Sequence, residues 1–231
     1  MTAIPNGLFG VIARKNGAGG GSDITLETSV VTTATSYSAP LNIDVNIPAV
    51  SANDILLLFC TTNDYSEPTA SPPSGWTKIT EQDGTSTSVP TVAAYWKRAS
   101  GSASATTETW SAFYPNGELY YIWVGAYSGC VIGSSPVDAY GQDNVGYSAT
   151  FSVPVSTTTA DTKIVTIASS TNPLITFTWA DGTELVDTVF RSAAVVTINE
   201  KLEATSGSKT RTVTASSPSA FSGIAVALKP V

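Results

Sequence analysis

The chain has 231 residues, 42% of them apolar and only 13% charged, and 11 Lys and Arg against 18 Asp and Glu leave it at −7. That length suffices for one large domain or two small ones with a sizeable core. The acidic balance disfavours polyanions such as nucleic acid, no apolar run is long enough for a membrane-spanning helix, and the absence of histidine removes the commonest general base, transition-metal ligand and pH switch.

The first segment, "MTAIPNGLFGVIARKNGAGGGS" (1–22), has no leading basic residues and no continuous apolar stretch, so it is not expected to be a secretory signal. Its "NGAGGGS" (16–22) reads as a flexible hinge. In front of the hinge stand Ile4, Leu8, Phe9, Val11 and Ile12. They are too few for a domain and are expected to anchor the chain by burying in a partner. Residues 1–22 are therefore read as an N-terminal arm, and 23–231 as a single domain.

Beyond the arm, helical periodicity is almost missing. "LNIDVNI" (41–47) alternates strictly, as a strand with one buried and one wet face does. "ILLLF" (55–59) is apolar throughout, as in a central strand covered on both sides. "TVAAYWKRA", "ELYYIWVGAY", "TFSVPV", "TKIVTIAS", "LITFTW", "AAVVTINEKLEA", "KTRTVTAS" and "SGIAVALK" follow, rich in β-branched and aromatic residues. Turns built from Gly, Pro, Asn and Asp separate them, among them "SPPSG", "YPNG" and "ADG". The expected fold is all-β, an antiparallel β-sandwich or jelly roll with an extended N-terminal arm.

The pattern repeats. Pro48 stands before Asp54 as Pro154 stands before Asp161, and Gly75 and Gly182 each lie 21 residues past their aspartate. A Ser-Gly pair at Gly101 and at Gly207 then leads into a Thr-rich strand, and each copy closes on a strand of small residues. The two units run about 40–130 and 147–229, with the aspartates 107 residues apart. A unit of about five strands leaves an apolar sheet face exposed, and two units can cover each other's. The prolines are expected at strand ends or edges. The connecting stretch "SPVDAYGQDNVGYSA" (135–149) reads as a short packed loop.

Motifs for chemistry are sparse. No GxSxG elbow, phosphate loop, HExxH or cysteine-pair metal spacing is present. A two-carboxylate glycosidase would draw on Glu67, Glu81, Asp83, Glu108, Glu118, Asp181, Glu184 and Asp187, but these fall in turns or on polar strand faces and read as solvated surface. "NDYSE" (63–67), "EQDG" (81–84) and "DGTE" (181–184) are oxygen-rich without the spacing of a calcium loop and read as Asx-type turns. Neither metal nor cofactor is expected. Cys60 and Cys130 read as core thiols, with a single bridge between them the alternative. The tryptophans fall mostly in strands, where alternate rings enter the core. Tyr65 and Tyr114, in loops, are the rings expected to contact a ligand.

The order "NDILLLF", "PSGWTKI", "AAYWKRASG", "TETW", "GAYSGC", "SPVDA" resembles the jelly-roll-like β-sandwich domains of virion structural and decoration proteins of tailed bacteriophages. The resemblance covers residues 40–140 well, the second half more loosely and the arm not at all. Its markers are the turn at Gly75–Trp76, the strand end "YWKRASG" and the "GAYSG" to "SPVD" corner, which specify a fold and carry no reaction. It implies a non-enzymatic structural role on a virion assembled in a bacterial cytoplasm. The part would be an exterior accessory one, as capsid decoration, head fibre or tail attachment. Partners would be other virion proteins and further copies of the chain as a homo-oligomer, with no nucleic acid or membrane and with host surface glycan as an additional contact. The alternative is a carbohydrate-binding module or adhesin domain.

Overall fold

The computed structural model describes residues 23–35, 41–63, 72–84, 89–113, 119–190 and 192–231. Among them thirteen strands form in chain order: β1 (Thr25–Thr35), β2 (Leu41–Ile47), β3 (Ile55–Thr62), β4 (Thr77–Gln82), β5 (Val92–Arg98), β6 (Thr106–Phe113), β7 (Leu119–Ser128), β8 (Val137–Thr157), β9 (Thr162–Ser170), β10 (Phe177–Trp179), β11 (Thr183–Phe190), β12 (Ala194–Glu203) and β13 (Gly207–Leu228). All pairings are antiparallel, and the protein is an all-β sandwich. The arm, with Ile4, Leu8, Phe9, Val11 and Ile12, lies outside the described residues.

In the first half, β1-β7-β3-β5-β4 form one sheet and β2-β6 a two-stranded second one. Alternation decides how they meet. Ile43, Val45 and Ile47 of β2 turn inward with Trp110 of β6, while Asn42, Asp44 and Asn46 stay exposed. They pack on Leu56, Leu58, Tyr95 and Ile122 of the larger sheet. All eight residues of β3 are buried, because a second core lies against its other face.

The second half repeats this plan within longer strands. Residues 137–145 of β8 and 221–228 of β13 join β9, β12 and β11 in a five-stranded sheet. Residues 148–157 of β8 then pair with 207–214 of β13, which also pairs with β10. This layer covers the outer face with Phe151, Val153, Val155, Phe177 and Val213. Both long strands thus serve two layers, and the ladder between them shifts register from Thr214 to Phe221. Where β8 crosses itself only glycine fits: a Cβ on Gly141 would lie 1.6 Å from the carbonyl oxygen of Pro154.

The strand equivalence is β1 to β7 with the stretch 137–228, so each unit begins one strand before the repeat visible in the sequence. The stretch 135–149, expected as a loop, supplies that strand in the second half. The best match is also one residue off the aspartate alignment. Ile43, Val45 and Ile47 occupy the places of Phe151, Val153 and Val155, each 108 residues on. The partner of Asp161 (φ 54°) is then Asn53 (φ 71°), both left-handed turn residues before a central strand. An offset of 107 would exchange the faces of every strand residue. Gly75 (φ 93°) and Gly182 (φ 89°) make the matching turns ahead of β4 and β11.

The two five-stranded sheets pack face to face. Ile55, Leu57, Phe59, Trp123 and Tyr127 from one and Val165, Ile167, Val196, Ile198, Ile224 and Val226 from the other form one core. Tyr121 meets Phe190 across it at 5.6 Å, and the Tyr127 hydroxyl donates to Glu200 Oε2 at 3.2 Å. Cys60 and Cys130 are both free and buried. Equivalent strands run in the same direction: Thr80 of β4 bonds Gln142 of β8, and Asn144 Nδ2 donates to the Asp83 carbonyl one step further along both. At the far end Val131 N–H donates to the Lys229 carbonyl and Val231 N–H to that of Gly129. The halves are therefore related by an approximate two-fold axis running along the strands, with 129–131 and 229–231 paired about it.

Candidate functional site

The two-fold arrangement gives the molecule two unlike ends. At one end β1, β3, β4 and β6 finish and β2, β5 and β7 start, as the pairs Thr35–Leu119, Thr61–Val92, Gln82–Val92 and Leu41–Phe113 require. The bends of β8 and β13 and the ends of β9 and β11 lie at the same end. Tyr147 (77% exposed) and Leu174 (89% exposed) stand out there from the second half. Tyr65 and Tyr114 lie outside the described residues, in connections that leave this end after Thr62 and Phe113. The opposite end is the foot. There Asp23 leads into β1, Val231 closes the chain, and the arm is attached.

The charged residues are mostly tied to one another. Glu108 on β6 accepts from Lys97 Nζ at 2.6 Å and from Trp76 Nε1 at 2.7 Å, with the Lys97 ammonium also over the Trp76 ring. The equivalent place in the second half, opposite Val153 as Glu108 is opposite Val45, holds Arg211 with the reverse charge. Its buried guanidinium donates from Nη1 to Asp181 Oδ1 and from Nη2 to Asn199 Oδ1, both at 2.5 Å, and from Nη2 to the Asp181 carbonyl at 3.1 Å. Lys201 joins Asp181 to Glu203 at 2.7 and 3.0 Å. The Lys201 hydrogen bond, aided by the Arg211 charge and opposed by burial, holds the Asp181 carboxyl below its ordinary range. This network pins the turn at Gly182 to β12 and β13.

Asp138 accepts four hydrogen bonds from the backbone N–H and hydroxyl groups of Thr158 and Thr159. They outweigh the upward pull of burial and lower its pKa. Burial, with a hydrogen bond to Asp83, pushes Glu81 up to about 7 despite its ion pair with Lys78. Burial, with the charge of Asp187 beside it, raises Glu184, and burial raises Asp187 against a backbone hydrogen bond from Phe177. Glu67 and Glu118 lie outside the described residues. No three His, Cys, Asp or Glu among the described residues come together as metal ligands.

No tryptophan offers an exposed platform: Trp76, Trp110 and Trp123 are buried, and Trp96 and Trp179 half-buried. Among the described residues the exposed rings are Tyr140 (53%) and Tyr147, both on β8, which sequence reasoning passed over by taking 135–149 as a loop. The alternation of tyrosine with glycine and polar residues was the available signal.

Two grooves flank the central core where the sheet edges meet. One, of about 480 Å³, runs between β4 and β8 past Ile79, Trp96, Val137 and Tyr140. The other, of about 660 Å³, runs between β1 and β11 past Val31, Tyr121, Leu185, Val186, Val189 and Phe190. They exchange under the two-fold axis but are not alike. The first is stitched by the Thr80–Gln142 and Asn144–Asp83 bonds. Across the second no hydrogen bond joins β1 to β11 among the described residues, and Val31 and Val189 remain 40% and 46% exposed. No family model matches the chain, and no curated protein matches it significantly.

Proposed function

We propose that this is a non-enzymatic structural protein of a bacteriophage virion, an exterior accessory attached through its N-terminal arm. The observation that carries the reading is the polarity of the body. The arm joins at the foot, and at the opposite end Tyr147 and Leu174 are exposed and the strands finish from which the chain runs on toward Tyr65 and Tyr114. A subunit of this form can be held by one end and present the other. The segments that resemble virion sandwiches lie along the first half from β3 to the start of β8. The Glu108, Asp138 and Asp181 carboxylates are engaged in hydrogen bonds and ion pairs, as in a scaffold.

In this role Ile4, Leu8, Phe9, Val11 and Ile12 bury in a neighbouring virion protein or a further copy of the chain. Four such side chains contribute several kcal/mol at about 25 cal/mol per Å², and symmetric copies multiply this into avidity. Deleting residues 1–20 leaves a folded body that no longer joins the particle. Normal incorporation of that variant overturns the reading.

A carbohydrate-binding or adhesin role is the second reading, favoured by the exposure of Tyr147 beside the loop-bearing end. It predicts glycan-array binding that is lost in Tyr147→Ala, Tyr65→Ala or Tyr114→Ala.

A further inference from the structure

The two grooves are the same feature built twice, so their difference needs a cause. The walls of the β4–β8 groove are bridged by hydrogen bonds between β4 and β8. The β1–β11 groove is larger, lacks such bonds among the described residues and leaves Val31 and Val189 in water. One of its walls, β11, is the edge of its sheet, where a strand has backbone groups on one side free to pair with a further strand.

We propose that in the free protein the β1–β11 groove is filled by the chain's own arm, with residues 8–12 added antiparallel to β11 and Arg14 and Lys15 beside Glu184. Position, reach and charge point to this occupant. The arm joins at the foot of β1. There Tyr127, paired with Leu26 of β1, bonds Glu200, paired with Thr183 of β11, so the two strands begin at one level. Packed sheets lie about 10 Å apart, and the hinge 16–22 spans up to about 23 Å when extended. An arm turning back from the foot runs opposite to β11. Lys15 and Arg14 then reach Glu184 first, and Leu8 to Ile12 come beside Val186 to Phe190.

The charges agree. The arm holds Arg14 and Lys15 and no acidic residue, so with the whole chain at −7 the residues 23–231 carry −9. Among the described residues neither Glu184 nor Asp187 has a salt-bridge partner; burial raises both pKa values, with the Asp187 charge adding to the shift at Glu184 and a backbone hydrogen bond from Phe177 opposing it at Asp187. A tether this short also keeps the arm at an effective concentration in the millimolar range, ahead of any second copy in dilute solution. The docked arm shields the anchor residues until a neighbour on the particle competes for them.

Hydrogen exchange on the full chain tests this. In the native sequence the amides of 185–190 are protected. In the full-length Leu8→Ser/Phe9→Ser/Val11→Ser variant, whose changes lie outside the described body, they exchange on the order of tenfold faster, while those of β9 do not change. Protection in the native chain persists on hundredfold dilution. Equal exchange in both proteins overturns the proposal. So does protection that fades on dilution together with a dimer mass, since the occupant is then a second copy's arm. Anchoring fails separately: a chain lacking residues 1–20 that still joins particles sinks the virion role and leaves the exchange result standing.

Discussion

Replacing Asp181 with alanine strands a buried cation. Arg211 is 1% exposed, and among the described residues Asp181 supplies its only carboxylate hydrogen bond, at 2.5 Å. After Asp181→Ala the guanidinium keeps Asn199 Oδ1, the backbone carbonyl at position 181 and Glu203 at 3.9 Å. Breaking a buried pair from one side costs about 3–5 kcal/mol. Here the Asp181 side chain is 49% exposed and Glu203 stands in reserve, so the expected loss is about 2–3 kcal/mol. For a domain of this size that lowers Tm by roughly 4–12 °C. Urea unfolding of Asp181→Ala, Arg211→Met and the double variant reads the effect. Arg211→Met loses less, because the half-exposed Asp181 recovers water and Lys201. The double variant is more stable than Asp181→Ala alone, because the stranded charge has gone. A loss below about 0.5 kcal/mol for Asp181→Ala, the range of ordinary surface changes, refutes the reasoning, and so does a double variant whose losses merely add. The pH dependence has a definite sign. A carboxyl with a lowered folded pKa stabilises above its unfolded value, and that contribution is lost as pH falls through the folded one. Asp181→Ala therefore flattens the acid limb of the stability curve.

Gly141→Ala brings a Cβ against the Pro154 backbone and unfolds or severely destabilises the protein, by more than about 4 kcal/mol in urea unfolding. Glu81 has a raised folded pKa, about 7, so its ionised form opposes folding above that pH and the penalty fades as pH falls toward its unfolded value near 4.5. Glu81→Gln therefore gains on the order of 1 kcal/mol at pH 8, after discounting for its partial exposure, and nothing at pH 5; Tm at the two pH values checks this. The Cys60 and Cys130 thiols are buried and free, with burial raising both and taking Cys130 up to about 12. Neither reacts with a thiol reagent in the native protein, and both react in urea without prior reduction.

The parts of this fold legible in the sequence are those whose burial differs sharply between faces or is complete. "LNIDVNI" became β2 with the expected faces, and "ILLLF" became the doubly covered β3. Edge strands were the hard part. β1 is a run of Thr, Ser and Val, β11 carries Glu and Asp, and residues 137–145 mix Gly, Gln, Asp and Asn, because an edge strand in water needs no alternating apolar face. "KTRTVTAS" and "SGIAVALK" read as two strands and are one, since nothing local marks a bend made by register shifts. The grooves were not legible, since they depend on which edges the two-fold axis brings together.

That axis also bears on how the halves differ. Two identical units packed in this way present two identical grooves, each flanked by the foot of a first strand with its own arm. A single chain retains both grooves and has one arm, attached at β1. The unit that begins at residue 137 is entered from the preceding strand and has no arm to offer. The groove beside its first strand is the one bridged by Thr80, Gln142, Asn144 and Asp83, whereas the groove beside β1 has no such bridge among the described residues. The reversed charges at Glu108 and Arg211 follow the same rule: freed from symmetry, each half satisfied the same buried corner with its own neighbours, Lys97 and Trp76 in one and Asp181 and Asn199 in the other. If the open groove were only imperfect packing, wall-to-wall hydrogen bonds would be expected to bridge it as they bridge its twin. Exposed valines on both walls and acids without an ion-pair partner among the described residues along one edge instead suit a groove that keeps room for a strand.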